Sequence, residues 1–476
     1  MPSRIYCFIG VSLLVPLFSM AAAAPPIPPD VVERAVALRD RALGDSTAYD
    51  IVESLTMEIG PRPAGSAADQ AARAWAVARL TALGFSNVRT EAVSIPRWER
   101  GTIDVRMTAP FAQPLVATSL GGSPGTPDIG IEAPVVRVAS LAELSALSRE
   151  DLEGRIAFVD HVMERHKTGR GYGVSAMIRG CAHVVAADRG ALATVIRSAG
   201  TSRHRFAHTG AMLRGNAAQI PAMAISNADA DLLAHAIGTG DDVLLRLHST
   251  ARDLPTTSTA NVIAEVPGRG RLADEIVVLG AHLDSWDLGT GAIDDASGVG
   301  IVIAAAKMIM DNSEGPHRTL RVVLYGAEEI GIYGGRAYAE AHGGNLDRHV
   351  VALEADFGPG RVWQFSSRVA DASLGIVDEI AALLEPLGIE RGDNAASGGP
   401  DIGPLRKAGV PVFELSQDGT RYFDFHHTAD DTLDKVDRDD LNQNVAAYTT
   451  AAWVAASIEA RFGRLPSDNS QWQCQE

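Results

Sequence analysis

Apolar and polar positions alternate in three regimes along the chain. Residues 31–59 carry helical periodicity and stop at Gly60-Pro61-Arg62-Pro63. A second helix is expected from Ser66, with Ala72, Ala76, Leu80 and Leu83 facing inward and Gly84 just past its end, where a left-handed cap is cheap. Residues 85–93 alternate as a strand does, and 110–127 then shift to Pro, Gly, Ser and Thr. From about 134 to 247 short apolar runs (155–162, 191–196, 220–225, 243–247) are separated by turns and brief helices. Residues 252–258 read as a return linker. Beyond them apolar strands at 275–280, 320–325, 350–353 and 410–415 alternate with amphipathic helices at 297–310, 336–341, 371–384 and 440–458. Such alternation predicts an α/β fold: a mixed, mostly parallel sheet with helices on both faces, interrupted by a β-rich insertion. Functional groups then gather at the carboxyl ends of the strands.

A length of 476 residues exceeds what one core supports and predicts more than one domain. The hydrophobic share of 46% and charged share of 21% exclude a disordered or fibrous chain. Lys and Arg number 42 against 59 Asp and Glu, a net charge of -17, which argues against nucleic acid or an anionic membrane as partner. Residues 1–24 stand apart: Arg4, an apolar stretch from Ile5 to Leu17, then Ala21 to Ala24 before Pro25-Pro26. This is the pattern of a cleaved export signal, so a secreted or periplasmic product is expected. No later run reaches the ~20 apolar residues of a membrane helix. Outside that segment the cysteines are Cys181 and Cys474. One bridge or two free thiols are both compatible with the sequence.

Chemistry concentrates after the strands of the last regime. The first runs into His282-Leu-Asp284-Ser-Trp-Asp287, the second into Glu328-Glu329, the third into Glu354-Ala-Asp356, and the last precedes His426-His427 and Asp430-Asp431. Asp294-Asp295 sits immediately before the helix expected at Ser297. Carboxylates crowded in one crevice repel unless a cation holds them. Mixed imidazole and carboxylate donors suit zinc, and a shared carboxylate lets two ions sit ~3.5–4 Å apart. Water between them would become an effective nucleophile near neutral pH, with a free carboxylate as general base.

These residues and their order resemble a known family, the co-catalytic zinc exopeptidases that include bacterial leucyl aminopeptidase, and most closely its plasma glutamate carboxypeptidase (carboxypeptidase Q) branch. The resemblance rests on Gly60-Pro-Arg-Pro-Ala-Gly-Ser66, Ile95-Pro-Arg-Trp-Glu-Arg-Gly101, residues 190–198, His208-Thr-Gly210, His282-Leu-Asp-Ser-Trp-Asp287, Ala327-Glu-Glu329, Pro400-Asp401 ahead of Ala408-Gly-Val-Pro411, and Phe425-His-His-Thr428. It implies an exopeptidase that cleaves terminal bonds of short peptides or dipeptides and carries two zinc ions per chain. His282, Asp294, Glu329, Asp356 and His427 would be the ligands, Asp294 bridging both ions. Glu328 would be the general base, and Asp284 would orient His282 through its other nitrogen. A cis peptide is implied between Asp294 and Asp295. His427 is preferred to His426 because His427-Thr-Ala-Asp-Asp431-Thr432 matches the family motif.

The resemblance also divides the chain into residues 1–24 (signal), 25–117 and 254–466 (peptidase domain), 118–253 (a protease-associated-like insertion) and 467–476 (tail), and makes a homodimer an expected assembly. Within the insertion, Arg197, His204, Arg205 and His208 are either a solvated basic stretch or a source of one group that meets a substrate carboxylate. Asp295 is either a neighbour of the ligands or the cap of the next helix. Asp287 reads as a loop acid, and Asp401 and Tyr422 as structural residues near a specificity pocket. Two other functions share this fold: a glutaminyl cyclase-like single-zinc enzyme, for which Asp294, Glu329 and His427 suffice, and an inactive binding ectodomain, which lacks donors.

Overall fold

The computed structural model describes residues 27–213, 219–240, 242–467 and Cys474; the expected signal segment and most of the expected tail lie outside them. The first sheet has eight strands in the spatial order Ser86–Glu99, Arg252–Val266, Thr319–Tyr325, Ile276–His282, His349–Glu354, Val412–Gln417, Val362–Arg368, Glu390–Arg391. Its four central strands run parallel. The strands flanking them pair antiparallel. The central strands Ile276–His282 and His349–Glu354 are apolar between their end residues because both faces are covered. In Ile276–His282, Val277, Leu279 and Ala281 face one core, and Ile276 and Val278 the other. The first core is filled by the helices Ser297–Met310 and Arg438–Ser457, with Pro29–Ala42 and Thr47–Ser54 packed on them. The second lies under Tyr333–Ala341 and Gly403–Lys407.

The second sheet also has eight strands, Gln113–Leu115, Ile103–Ala109, Leu244–Ser249, Ile131–Val138, Ile156–Val159, Ala193–Arg197, Ala222–Ile225, Ala117–Ser119. All of them lie in the chain between Ser86–Glu99 and Arg252–Val266, which pair with each other in the first sheet. The mixed α/β architecture is therefore the expected one, built on two sheets.

Three expectations need correction. The second sheet already includes Ile103–Ala109 and Gln113–Leu115, so the expected boundary at 117/118 falls inside it; the Pro/Gly-rich composition there marks turns between short strands. Residues 252–258 are no linker: they open the long strand Arg252–Val266, registered against Trp98 and Glu99. Their polar sequence reflects a two-stranded ribbon that leaves the core, where burial imposes no apolar alternation. Residues 31–59 are not one helix. They break between Ala42 and Thr47, where Asp45 Oδ1 accepts the Thr47 N–H at 2.8 Å, a turn bond that competes with helix continuation. The second helix, Ala67–Ala82, starts as expected with Ser66 accepting from the Asp69 N–H. Cys181 and Cys474 are joined in a disulfide, which answers the question the sequence left open.

Phe413 is fully buried between Phe365 and Phe462, with ring centres 5.2 and 4.8 Å away. Phe413→Ala should therefore cost ~3–5 kcal/mol, read as an earlier thermal unfolding transition.

Candidate metal centre

The parallel strands end at one edge of the first sheet, and this alone brings distant residues together. His282 is the last residue of its strand. Glu328 and Glu329 follow the next one, Asp356 follows His349–Glu354, and His427 comes from the segment after Val412–Gln417. Ala327 and His427 take left-handed backbone conformations (φ 62° for each), uncommon for residues with a side chain and concentrated at functional sites. Asp294 sits in the turn Ala292–Ala296, and the Asp294–Asp295 peptide is cis, as expected.

Asp294 lies at the middle of the cluster. Its Oδ1 is 3.0 Å from His282 Nε2, and its Oδ2 is 3.2 Å from His427 Nε2. His282 Nε2 is also 3.4 Å from Asp356 Oδ1, and His427 Nε2 is 2.9 Å from Glu329 Oε2. Each imidazole donates its Nδ1–H to a backbone carbonyl: His282 to Asp284 at 2.9 Å, His427 to Thr209 at 3.2 Å. That bond fixes each ring so that Nε2, the nitrogen a metal ion would take, faces Asp294. His426 stacks on His427 with ring centres 3.5 Å apart and reaches Asp294 Oδ2 at 3.4 Å. His426 Nδ1 is buried without a hydrogen-bond partner among the described residues.

The electrostatics ask for more positive charge than the side chains supply. Burial opposes a charged imidazole, yet Glu329 and Asp294 push His427 up to about 9, and Asp356 with Asp294 holds His282 well above its ordinary range. Asp295, Glu328 and Asp401 are pushed well above the carboxylate range, by burial first and by neighbouring carboxylates added to it. Glu329 Oε1 is buried with no hydrogen-bond partner among the described residues. His282, Asp294 and Glu329 offer donor atoms within 4.8 Å of one another, as do Asp294, His426 and His427. Mixed nitrogen and oxygen donors of this kind fit zinc.

Three residues hold these donors from behind. Asp284 does so differently from expectation: its carboxylate stands 3.8 Å from His282 Nδ1 and instead accepts the Glu328 and Glu329 N–H groups at 3.1 and 3.3 Å. Its main-chain oxygen, not its side chain, orients the imidazole. Asp295 is both things the sequence allowed, accepting from the Gly298 N–H at the helix start and from the His282 N–H. Asp431 accepts the Ile293 N–H at 2.7 Å, tying the loop of His427 to the turn of Asp294.

Sequence patterns did not reveal the roles of two arginines. Arg62 is fully buried and donates to the carbonyls of Leu283, Thr290 and Gly291 at 2.6, 2.7 and 2.9 Å, bracing the loop between His282 and Asp294. Arg100 pairs with Asp287 and donates from Nη1 to Thr118 Oγ1 and Thr209 Oγ1 at 2.8 and 2.9 Å. Asp287 is thus the partner of a buried guanidinium. Thr209, whose carbonyl orients His427, belongs to the unit of the second sheet, so that unit supports the centre directly. The basic stretch sorts itself out. Arg197 is spent on Asp160 and Asp231, Arg205 pairs with Asp229, and His204 lines a surface cleft with Arg203. His208 donates to the His426 carbonyl at 2.7 Å. Asp401 is buried and accepts from the Gly335 N–H, and Tyr422 stacks on Phe357, 4.9 Å between ring centres.

A model of peptidase family M28 matches residues 261–452, a stretch that holds every expected ligand and the expected base. The chain belongs to this family of zinc exopeptidases and is a zinc metallo-exopeptidase by class. It is 34% identical over 436 residues to carboxypeptidase Q of Rattus norvegicus, covering 91% of this chain and 90% of that one. It is also 48% identical to a peptidase M28 precursor from Shewanella amazonensis, whose crystal structure matches with a TM-score of 0.90 over 92% of this chain and 99% of that one. BSAP, a zinc aminopeptidase from Bacillus subtilis, matches with a TM-score of 0.64 at 21% identity over 89% of this chain and 98% of that one, which shows a shared fold.

Because Arg100 acts on His427 through Thr209, Arg100→Met should weaken zinc binding by ~10–100-fold. Competition with a chromophoric chelator, with far-ultraviolet circular dichroism as the control for folding, measures it.

Proposed function

We propose that this chain is an exported exopeptidase that holds two zinc ions and hydrolyses terminal bonds of short peptides or dipeptides. One observation carries the nuclearity: the two oxygens of Asp294 are divided between His282 and His427. His282 with Asp356 and His427 with Glu329 then form two donor sets that share Asp294. Zinc bound here supplies Lewis acidity toward the scissile carbonyl and makes water reactive near neutral pH. Glu328 takes the proton from the attacking water and returns it to the leaving amine. Its half-buried carboxyl stands next to the expected donor Glu329, and Asp284 holds its backbone in place. The likeness to carboxypeptidase Q supports a substrate with a free carboxyl end. The unit of the second sheet acts as a protease-associated-like insertion that shapes access to the centre. Export is supported by the Cys181–Cys474 disulfide, since such bonds persist in oxidising compartments. No helix among the described residues is long and apolar enough to cross a membrane.

The test couples zinc quantification to turnover of Leu-p-nitroanilide and of free and end-blocked dipeptides. About two zinc ions per chain and cleavage of free dipeptides are expected. A single tightly bound zinc with pyroglutamate formation would point to the cyclase instead, and a fully loaded protein inert toward every substrate would reject hydrolysis. Glu328→Gln should keep its zinc and lose ~100-fold or more in kcat, whereas Asp294→Ala should lose zinc and turnover together.

A further inference from the structure

A cavity of about 250 Å³ opens beside Glu329, between the two sheets. Trp98, Leu254, Trp286 and Ile330 form one side of it, and Gly121 and Met212 close it from the unit of the second sheet. It is smaller than the roughly 300 Å³ at which drug-sized sites begin, room for one large side chain and not for a peptide. Trp286 also stands edge-on to His427, 5.9 Å between ring centres. The cavity is therefore lined by one expected zinc donor, Glu329, and by an indole that stands against a second, His427, which places it beside the bond they would cleave.

Its walls are mainly apolar, although Arg97, Glu99, Arg100, Asp287 and Glu329 also line it. Arg100 and Asp287 neutralise each other, and the remaining Arg100 donor goes to Thr118 and Thr209. The guanidinium carbon lies 5.1 Å from the Trp98 ring centre and 5.5 Å from that of Trp286, so the two indoles cover the charge. At the rim, Arg97 is exposed and Glu99 is paired with Arg252. Trp98 is pinned by its Nε1–H on the Ser123 carbonyl at 2.8 Å. Trp286 fits only because residue 121 is glycine; a Cβ there would lie 2.1 Å from the ring. Trp286 Nε1–H is buried with no acceptor among the described residues, a donor left for a polar group of a ligand.

We propose that this cavity receives the bulky apolar side chain, branched aliphatic or aromatic, of the residue flanking the scissile bond. The inference rests on the exopeptidase reading above and makes the second-sheet unit part of the specificity pocket.

The experiment measures kcat/KM of the zinc-loaded full chain on dipeptides that place Gly on one side of the bond and Gly, Leu, Phe, Lys or Glu on the other, in both orders. Wild type should favour Leu and Phe over Gly at one of the two positions by ~10–200-fold. Trp98→Ala should cut that ratio ~10-fold. Leu254→Glu, on a half-exposed strand, should cut it as well and raise the Lys-to-Gly ratio, so the test survives if the first variant fails to fold. A wild type that favours Gly or a charged residue at both positions, or variants with unchanged ratios, would overturn the pocket alone. Absence of all turnover in wild type would overturn the exopeptidase reading and this inference with it.

Discussion

The structure depends on the burial of more carboxylates than the two imidazoles beside them can neutralise. Asp294, Glu329 and Asp356 meet two imidazoles at the edge of a parallel sheet, with Asp284, Asp295, Glu354 and Asp401 behind them. Buried charge of one sign is costly at these separations. The protein spends backbone hydrogen bonds on the rear layer: Asp284 on Glu328 and Glu329, Asp295 on His282 and Gly298, Glu354 on Asp401 and Ile402. The front layer keeps its donor atoms turned toward one another. That asymmetry separates carboxylates that hold the scaffold from carboxylates whose oxygens are free to take a cation.

A second consequence is that the centre belongs to both sheets. His427 depends on Thr209, Thr209 on Arg100, and Arg100 on Asp287 in the loop that follows His282. The chain leaves the first sheet at Glu99 and returns at Arg252, whose side chains pair across the ribbon at 2.8 Å. Arg100 stands at that exit. A single buried guanidinium thus joins the crossing between the units, the metal loop and the imidazole on the far side of the site.

Much of the fold and site was legible in the sequence because it depends on local pattern. Apolar runs gave the central strands and marked His282, Glu328-Glu329 and Glu354-Ala-Asp356 just beyond them, while the choice of Glu329 and Asp356 among these acids came from the family motif. Asp294 and His427 needed the family motif, since neither follows a strand directly. The ribbon at 252–258 was missed because its residues face solvent, and the helix break at residues 43–46 because one aspartate side chain outcompeted periodicity. Arg62 and Arg100 sat in motifs that drew attention, but neither an arginine bonded to main-chain oxygens, as Arg62 is, nor one paired with an acid and hydroxyls far along the chain, as Arg100 is, leaves a signature in residue type.

What the sequence determined by itself is the chemistry available: a mixed α/β sheet with a parallel centre, and a set of imidazoles and carboxylates in a fixed order along its strand ends. Only tertiary structure decided which atom of Asp284 faces His282, that Asp295 serves two masters, that Cys181 meets Cys474, and that two tryptophans cover one arginine beside the site. The physical reason is range. Strand and helix preferences are set by neighbours a few positions away, whereas hydrogen-bond partners and cavity walls are chosen by whichever surfaces packing brings within a few ångströms, however far apart they lie in the chain.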